Sequence, residues 1–185
     1  MLYPEFMKLE EIGKSVEGRS IMALTVGTGK KEILMDAAMH AREHMTTNVL
    51  MEMVDQYSYH YIHNSKMGGY QVRTVLDRVK IAFVPMINPD GVTLVQGGKV
   101  STPVATLKKL NGGSTNFKRW KANIRGIDLN RNWDVRWNRL PVLKPKWEMA
   151  KGSKPFSEPE VIALRDFVLE HPFKAYITYH SSGQI

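Results

Sequence analysis

Glu32-Ile33-Leu34-Met35-Asp36-Ala37-Ala38-Met39-His40-Ala41-Arg42-Glu43 is a mostly apolar run that ends on a histidine and a glutamate three residues apart. Its apolar residues occupy successive rather than alternate positions over a length typical of one strand. That pattern fits a strand covered on both faces, as in an α/β sheet. His40 and Glu43 follow where the strand gives way to a loop, so both can turn toward one cation. Zinc accepts imidazole nitrogen and carboxylate oxygen, and a catalytic zinc takes three protein ligands and keeps a fourth position for water. His180 is the best candidate for the third ligand, because it ends another strand-like run, Ala175-Tyr176-Ile177-Thr178-Tyr179-His180.

Outward from that strand, the chain alternates strands and helices. Arg19 to Val26 reads as a strand closed by a turn at Gly27-Thr28-Gly29. After the His40 loop, Thr46 or Thr47 can cap a helix whose apolar face is Val49, Leu50, Met53, Val54, Tyr57 and Tyr61. A short helix near Val72 to Arg78 leads to a second buried strand, Lys80 to Ile87, ended by the turn formers Asn88-Pro89-Asp90-Gly91. Residues 97–126 and 138–155 read as long loops, of the kind that are usually functional or mobile. Ser157-Glu158-Pro159-Glu160 has the form of a capping box, and Val161, Leu164, Phe167 and Val168 give the helix behind it a buried face. His171-Pro172 ends that helix, and the last strand follows. The expected class is α/β, with helices on both faces of one sheet. In such folds sites collect at the loop ends of strands, so His40, Glu43 and His180 converge if their two strands are neighbours.

The 185 residues, 43% of them apolar, suit one globular domain. Without cysteine there is no disulfide and no thiolate metal site. No apolar run reaches the roughly 18 residues that span a bilayer, so no membrane role is expected. The start has neither the basic nor the apolar part of a signal peptide, so a cytoplasmic location is the expectation. The net charge of +8 concentrates between Lys99 and Arg125, where Lys99, Lys108, Lys109, Lys118, Arg119, Lys121 and Arg125 meet no acidic residue. This block lacks aromatic interleaving and a helical stripe. It fits a solvated loop beside a site for anionic groups better than a nucleic-acid interface, and no nucleic-acid partner is expected.

Some residues admit a second reading. His40-Ala41-Arg42-Glu43-His44 also matches a pattern in which two histidines bind zinc and the glutamate is the base. That chemistry needs both histidines on one helical face, whereas this motif ends a strand. His60 and His63 read as surface histidines near a helix end. Asn130-Arg131 can be a plain turn with a surface arginine, or a carboxylate clamp, since a guanidinium fork matches a carboxylate with two parallel hydrogen bonds.

The order of motifs carries more than any one of them. Ile12-Gly13-Lys14-Ser15-Val16-Glu17-Gly18-Arg19-Ser20-Ile21 is followed by the His40 motif and Asn88-Pro89-Asp90-Gly91. Next come Trp120-Lys121-Ala122-Asn123 and Gly126-Ile127-Asp128-Leu129-Asn130-Arg131-Asn132-Trp133. Gly152, Pro155-Phe156-Ser157-Glu158-Pro159-Glu160 and Tyr179-His180-Ser181-Ser182-Gly183-Gln184 complete the series. In that order the chain resembles the zinc metallocarboxypeptidases of the pancreatic carboxypeptidase A type and their bacterial relatives, over nearly its whole length.

The resemblance implies a single peptidase domain over residues 1–185 with a mixed sheet, incomplete relative to the family fold. It implies one Zn2+ per chain on His40, Glu43 and His180. It also implies a peptide substrate whose free C-terminal carboxylate is held by Asn130 and Arg131. Arg42 and Arg125 are expected to contact substrate and the developing oxyanion, with Lys121 as the alternative to Arg125. Bacterial members that cut γ-D-glutamyl-diamino acid bonds of cell-wall peptides keep a second substrate open, and a non-catalytic zinc- or peptide-binding piece is a third reading.

Family members continue past the third ligand to the glutamate that activates water. No carboxylate here matches it by motif, so the general base is expected beyond Ile185, and no catalytic residue is identified within the chain. Alone, residues 1–185 are accordingly expected to be inactive and marginally stable, with self-association through an unpaired sheet edge.

Overall fold

The computed structural model describes residues 5–141 and 150–181. In chain order the elements are β1 (Met7–Lys14), β2 (Ser20–Val26), β3 (Lys31–Asp36), α1 (Met45–Ile62), β4 (Lys66–Met67), β5 (Tyr70–Gln71) and α2 (Val72–Leu76). They continue with β6 (Val79–Val84), α3 (Pro89–Val95), α4 (Val104–Leu110), α5 (Pro159–Glu170) and β7 (Phe173–Thr178). Five strands form one sheet in the order β1-β2-β6-β3-β7, and β4 and β5 make a separate small hairpin. β1 with β2 and β2 with β6 pair antiparallel, whereas β3 runs parallel to both β6 and β7. The sheet is therefore mixed. Among the described residues no helix is long and apolar enough to cross a membrane.

Strand alternation sorts the central side chains between two cores. Ile21, Ala23, Leu34, Ala82 and Val84 pack with Val161, Leu164 and Phe167 of α5 on one face. Val26, Met35, Ile81 and Phe83 pack with Leu50 and Val54 of α1 and with Val72 and Leu76 of α2 on the other. Because each strand supplies both cores in turn, a continuous apolar run was the pattern to look for.

Several local expectations are corrected. α1 starts at Met45 without a side-chain cap, and the Thr46 hydroxyl is used otherwise, accepting the Ala38 N–H and donating to the Glu43 carbonyl. Val49, placed on the buried face, is 48% exposed. Asn88 to Gly91 opens a helix rather than only a turn: Asn88 caps α3 by accepting from the Gly91 N–H, and Pro89 fills the first turn, where its missing N–H costs nothing. Within residues 97–126 lies α4, and Leu107, Trp120, Ala122 and Ile124 build a third core against Ala41 and Leu94. Residues 142–149 of the second predicted loop lie outside the described residues. The capping box at Ser157 does not form, because the carboxylates of Glu158 and Glu160 serve long-range contacts.

Those contacts form a buried polar knot that ties four segments together. Asp90 accepts from the Ser15 hydroxyl, the Glu17 N–H and Arg19. The Asn123 amide donates to Glu158 at 2.8 Å and to Glu160 at 3.2 Å, and Glu160 also accepts the Val16 N–H. Asn123 in turn holds its own loop, accepting from the N–H groups of Arg125 and Ile127. Burial pushes the wholly enclosed Glu160 carboxyl up to about 7, with its acceptor bonds offsetting only part. The folded chain therefore holds a proton that an unfolded glutamate, titrating near 4.5, releases. Stability is then complete below the unfolded value and declines by roughly 3 kcal/mol as pH rises toward 7. Glu160→Gln should flatten that decline in urea unfolding between pH 4.5 and 8. The same slope in variant and wild type would mean another group carries it.

Candidate metal centre

β3 and β7 lie side by side and parallel, with Asp36 opposite Thr178. His40 follows β3 by four residues and His180 follows β7 by two, so two side chains 140 positions apart leave the same edge of the sheet. Between β3 and His40 the backbone of Ala38 takes a left-handed conformation, φ 49°. For a residue with a Cβ this costs about 1 kcal/mol. It is held in place by the Thr46 hydroxyl on its N–H, and its carbonyl accepts the Asn88 N–H. Ala41 to Glu43 then form a single 3-10 turn that brings Glu43 back over His40.

The three side chains meet. Glu43 Oε1 lies 2.9 Å from His40 Nδ1 and Oε2 lies 2.9 Å from His180 Nδ1, while the two Nδ1 atoms are 3.1 Å apart. The Ser181 N–H also donates to Glu43. Burial would raise the Glu43 carboxyl, but the hydrogen bonds from His180 and His40 outweigh it and hold the group well below the usual carboxylate range. Burial likewise disfavours a charged His40, and Asp128 with Glu43 reverses this, so its pKa is raised.

This donor set fits zinc. Bonds of roughly 2.0–2.2 Å at tetrahedral angles put ligand atoms a little over 3 Å apart, close to the spacings seen here. The outward nitrogens are also accounted for. His40 Nε2 is 3.1 Å from Asp128 Oδ1, and Asp128 is fully buried and bonded through Oδ2 to Lys121 Nζ at 3.0 Å. His180 Nε2 is 3.4 Å from Thr178 Oγ1. Partners of this kind fix ring orientation and free Nδ1 for a metal. Among the described residues, no other three histidine or carboxylate side chains bring ligand atoms so close together.

An open pocket of about 420 Å³ adjoins the cluster, lined by Met39 beside His40, Thr178 two residues before His180, and Asn130, Arg131, Trp133 and Tyr176. Asn130 and Arg131 lie on a short 3-10 turn that begins after Asp128, whose carboxylate accepts the Asn130 N–H. Among the described residues, the Arg131 guanidinium reaches only the Asn130 carbonyl, at 3.2 Å. Arg42 extends toward the carbonyl of Arg119. The Arg125 side chain is 53% exposed and leans on Glu158 at 3.6 Å. Lys121 is brought next to His40 by their shared bond to Asp128. The sequence named Lys121 only as an alternative and gave Asp128 no role, although a buried histidine ligand calls for a carboxylate partner behind it.

A family model described as zinc carboxypeptidase matches residues 1–185. The chain belongs to the zinc carboxypeptidase family. The chain is 34% identical to the uncharacterised protein YqgT of Bacillus subtilis, the match covering 97% of this chain and 50% of that protein. It is 31% identical to γ-D-glutamyl-L-diamino acid endopeptidase 1 of Lysinibacillus sphaericus, over 99% of this chain and 47% of that one. Bovine thrombin-activatable fibrinolysis inhibitor, solved with a tick carboxypeptidase inhibitor, superposes with a TM-score of 0.73 at 27% identity, covering 99% of this chain and 56% of that one. The chain spans about half the length of the curated relatives it matches. As in the solved family members, the fold is a mixed α/β sheet flanked by helices.

Proposed function

We propose that the protein is a zinc-dependent peptidase that hydrolyses the bond preceding a residue with a free carboxylate. The observation that carries this reading is the meeting of His40, Glu43 and His180 beside a pocket whose wall holds Asn130 and Arg131. His40 Nδ1, His180 Nδ1 and the Glu43 carboxylate hold the metal, and bound zinc supplies Lewis-acid activation of a carbonyl and of water. Asp128 keeps the His40 ring in the orientation that aims Nδ1 at the metal. Arg131 and Asn130 take the substrate carboxylate, which is how an exopeptidase measures its distance from a chain end. Lys121 supplies positive charge near the cluster where an oxyanion develops.

A second reading, cleavage of a γ-D-glutamyl-diamino acid bond, is favoured by the likeness to the Lysinibacillus endopeptidase. The same arginine then holds a carboxylate of the diamino acid. The test offers the zinc-loaded protein, expressed at the full length of its relatives, three substrates: a linear peptide, its C-terminal amide, and a γ-D-glutamyl-diaminopimelate peptide. Release of one amino acid from the first but not the second supports the carboxypeptidase reading. Cleavage of the third alone supports the other, and inertness toward all three sinks both.

A further inference from the structure

Lys121 and Asp128 meet behind His40, and both stand on a loop that has neither helix nor strand between them. Two ties anchor its first half: the Ala41 N–H donates to the Lys121 carbonyl and the Asn88 amide to the Ala122 carbonyl, each at 3.0 Å. The second half is tied where the Asp128 N–H donates to the Ala150 carbonyl at 2.8 Å. Asn123 joins the two halves, and it is wholly buried. Its N–H donates to the Ile127 carbonyl, and its carbonyl accepts from the Gly126 N–H and the Trp120 indole. Its side-chain oxygen accepts the N–H groups of Arg125 and Ile127. The two amide protons go to the buried carboxylates of Glu158 and Glu160 at the start of α5. Every donor and acceptor position of the residue is therefore filled.

We propose that Asn123 is a positioning residue for the metal centre: it closes residues 123–127 into a turn fixed to α5, and that turn holds Asp128 against His40 and Lys121 against Asp128. This rests on the metal reading above and adds a residue none of whose bonds reaches the three ligands. The contacts it governs tolerate little movement. Asp128 lies 3.1 Å from His40 Nε2 and 3.0 Å from Lys121 Nζ, and a shift of about half an ångström takes either past hydrogen-bond range. Without the amide, two buried carboxylates and two N–H groups lose a partner, and the loop has to move to satisfy them. The ties at Ala41, Asn88 and Ala150 remain, so the expected result is a displaced loop in a folded protein.

The test uses the protein expressed at the full length of its relatives. Competition with a chromophoric chelator reads zinc affinity, and the visible spectrum of the cobalt(II)-loaded protein reads ligand geometry. Asn123→Ala should weaken zinc binding about 10- to 100-fold, as loss of an outer partner of a ligand does, and shift the cobalt bands as Asp128→Asn does. Added to Asp128→Asn, it should cost less than about threefold more, because both changes act on one bond. Asn123→Asp with Glu158→Gln exchanges donor and acceptor between the two positions, and should recover most of what Asn123→Asp alone loses. Ser15→Ala removes a bond to Asp90 elsewhere in the knot, so it should lower the melting temperature and leave zinc affinity unchanged. If circular dichroism shows Asn123→Ala unfolded, Asn123→Asp stands in for it, since it keeps the acceptor of both N–H groups. Zinc affinity unchanged in the folded variant, or losses that multiply with those of Asp128→Asn, overturn the proposal and leave the three ligands standing. An equal loss in Ser15→Ala, or no recovery in the exchanged pair, does the same. A wild type without stoichiometric zinc sinks the metal reading itself, and this proposal with it.

Discussion

His180→Ala should lower the affinity of the protein for zinc by more than about 10²-fold, and the His40→Ala, His180→Ala pair should leave no stoichiometric metal after dialysis. The scale follows from outer partners of zinc ligands, whose removal alone costs about 10- to 100-fold. His180 is the cleaner site, because its side chain is 29% exposed, whereas His40 is buried between Asp128 and Glu43. Losing the His40 ring takes away the hydrogen-bond partner that the buried carboxylates of Glu43 and Asp128 share, so that variant should also melt lower. Asp128→Asn provides the internal scale, with a loss in the 10- to 100-fold range and all three ligands still present. Metal analysis after dialysis against a weak chelator reads all of these. Zinc retained in the double variant would move the metal site elsewhere.

In a protein of its relatives' full length, Arg131→Ala should cost roughly 10²-fold or more in kcat/KM on peptides with a free C-terminus and far less on the matching amides. An arginine that pairs with a buried carboxylate contributes on the order of 2–5 kcal/mol, and the amide offers no such charge. Equal losses on both substrates would mean that the guanidinium serves the fold, not the chain end. Its surroundings favour the first outcome, since among the described residues the guanidinium makes a single contact, to the neighbouring Asn130 carbonyl.

Much of this site was legible because its residues sit at the ends of recognisable strands. The unbroken apolar run of β3 marked a strand covered on both faces, and the histidines then had to leave the sheet at a common edge once β3 and β7 proved to be neighbours. Other features were hidden by residues that serve two purposes. Asn88 and Pro89 are turn formers and helix starters alike, and only the Gly91 N–H bond decides between them. Thr46 is a good cap whose hydroxyl was already taken by Ala38 and Glu43. β1 carries Lys8, Glu10, Glu11 and Lys14 and, among the described residues, pairs on one side only, so it shows the charges of an edge strand and little alternation. The loop before Asp128 looked featureless because Leu107, Trp120 and Ile124 reach a common core without any period in the sequence. Asp36, Tyr176 and Thr178 are joined by register between distant strands, which no local pattern reports.

The pairing of β3 with β7 also sets an order in time. A chain is made from its first residue onward, and segments that depend on distant partners assemble late. His40 and Glu43 are in place once β3 has settled on β6, yet they offer a metal only two ligands. The third arrives after some 140 more residues, when β7 docks along β3. With the proposed ligand set, tight metal capture would be reserved for chains whose sheet has closed, and a nascent or misregistered chain would be left with a half-site that competes poorly for zinc.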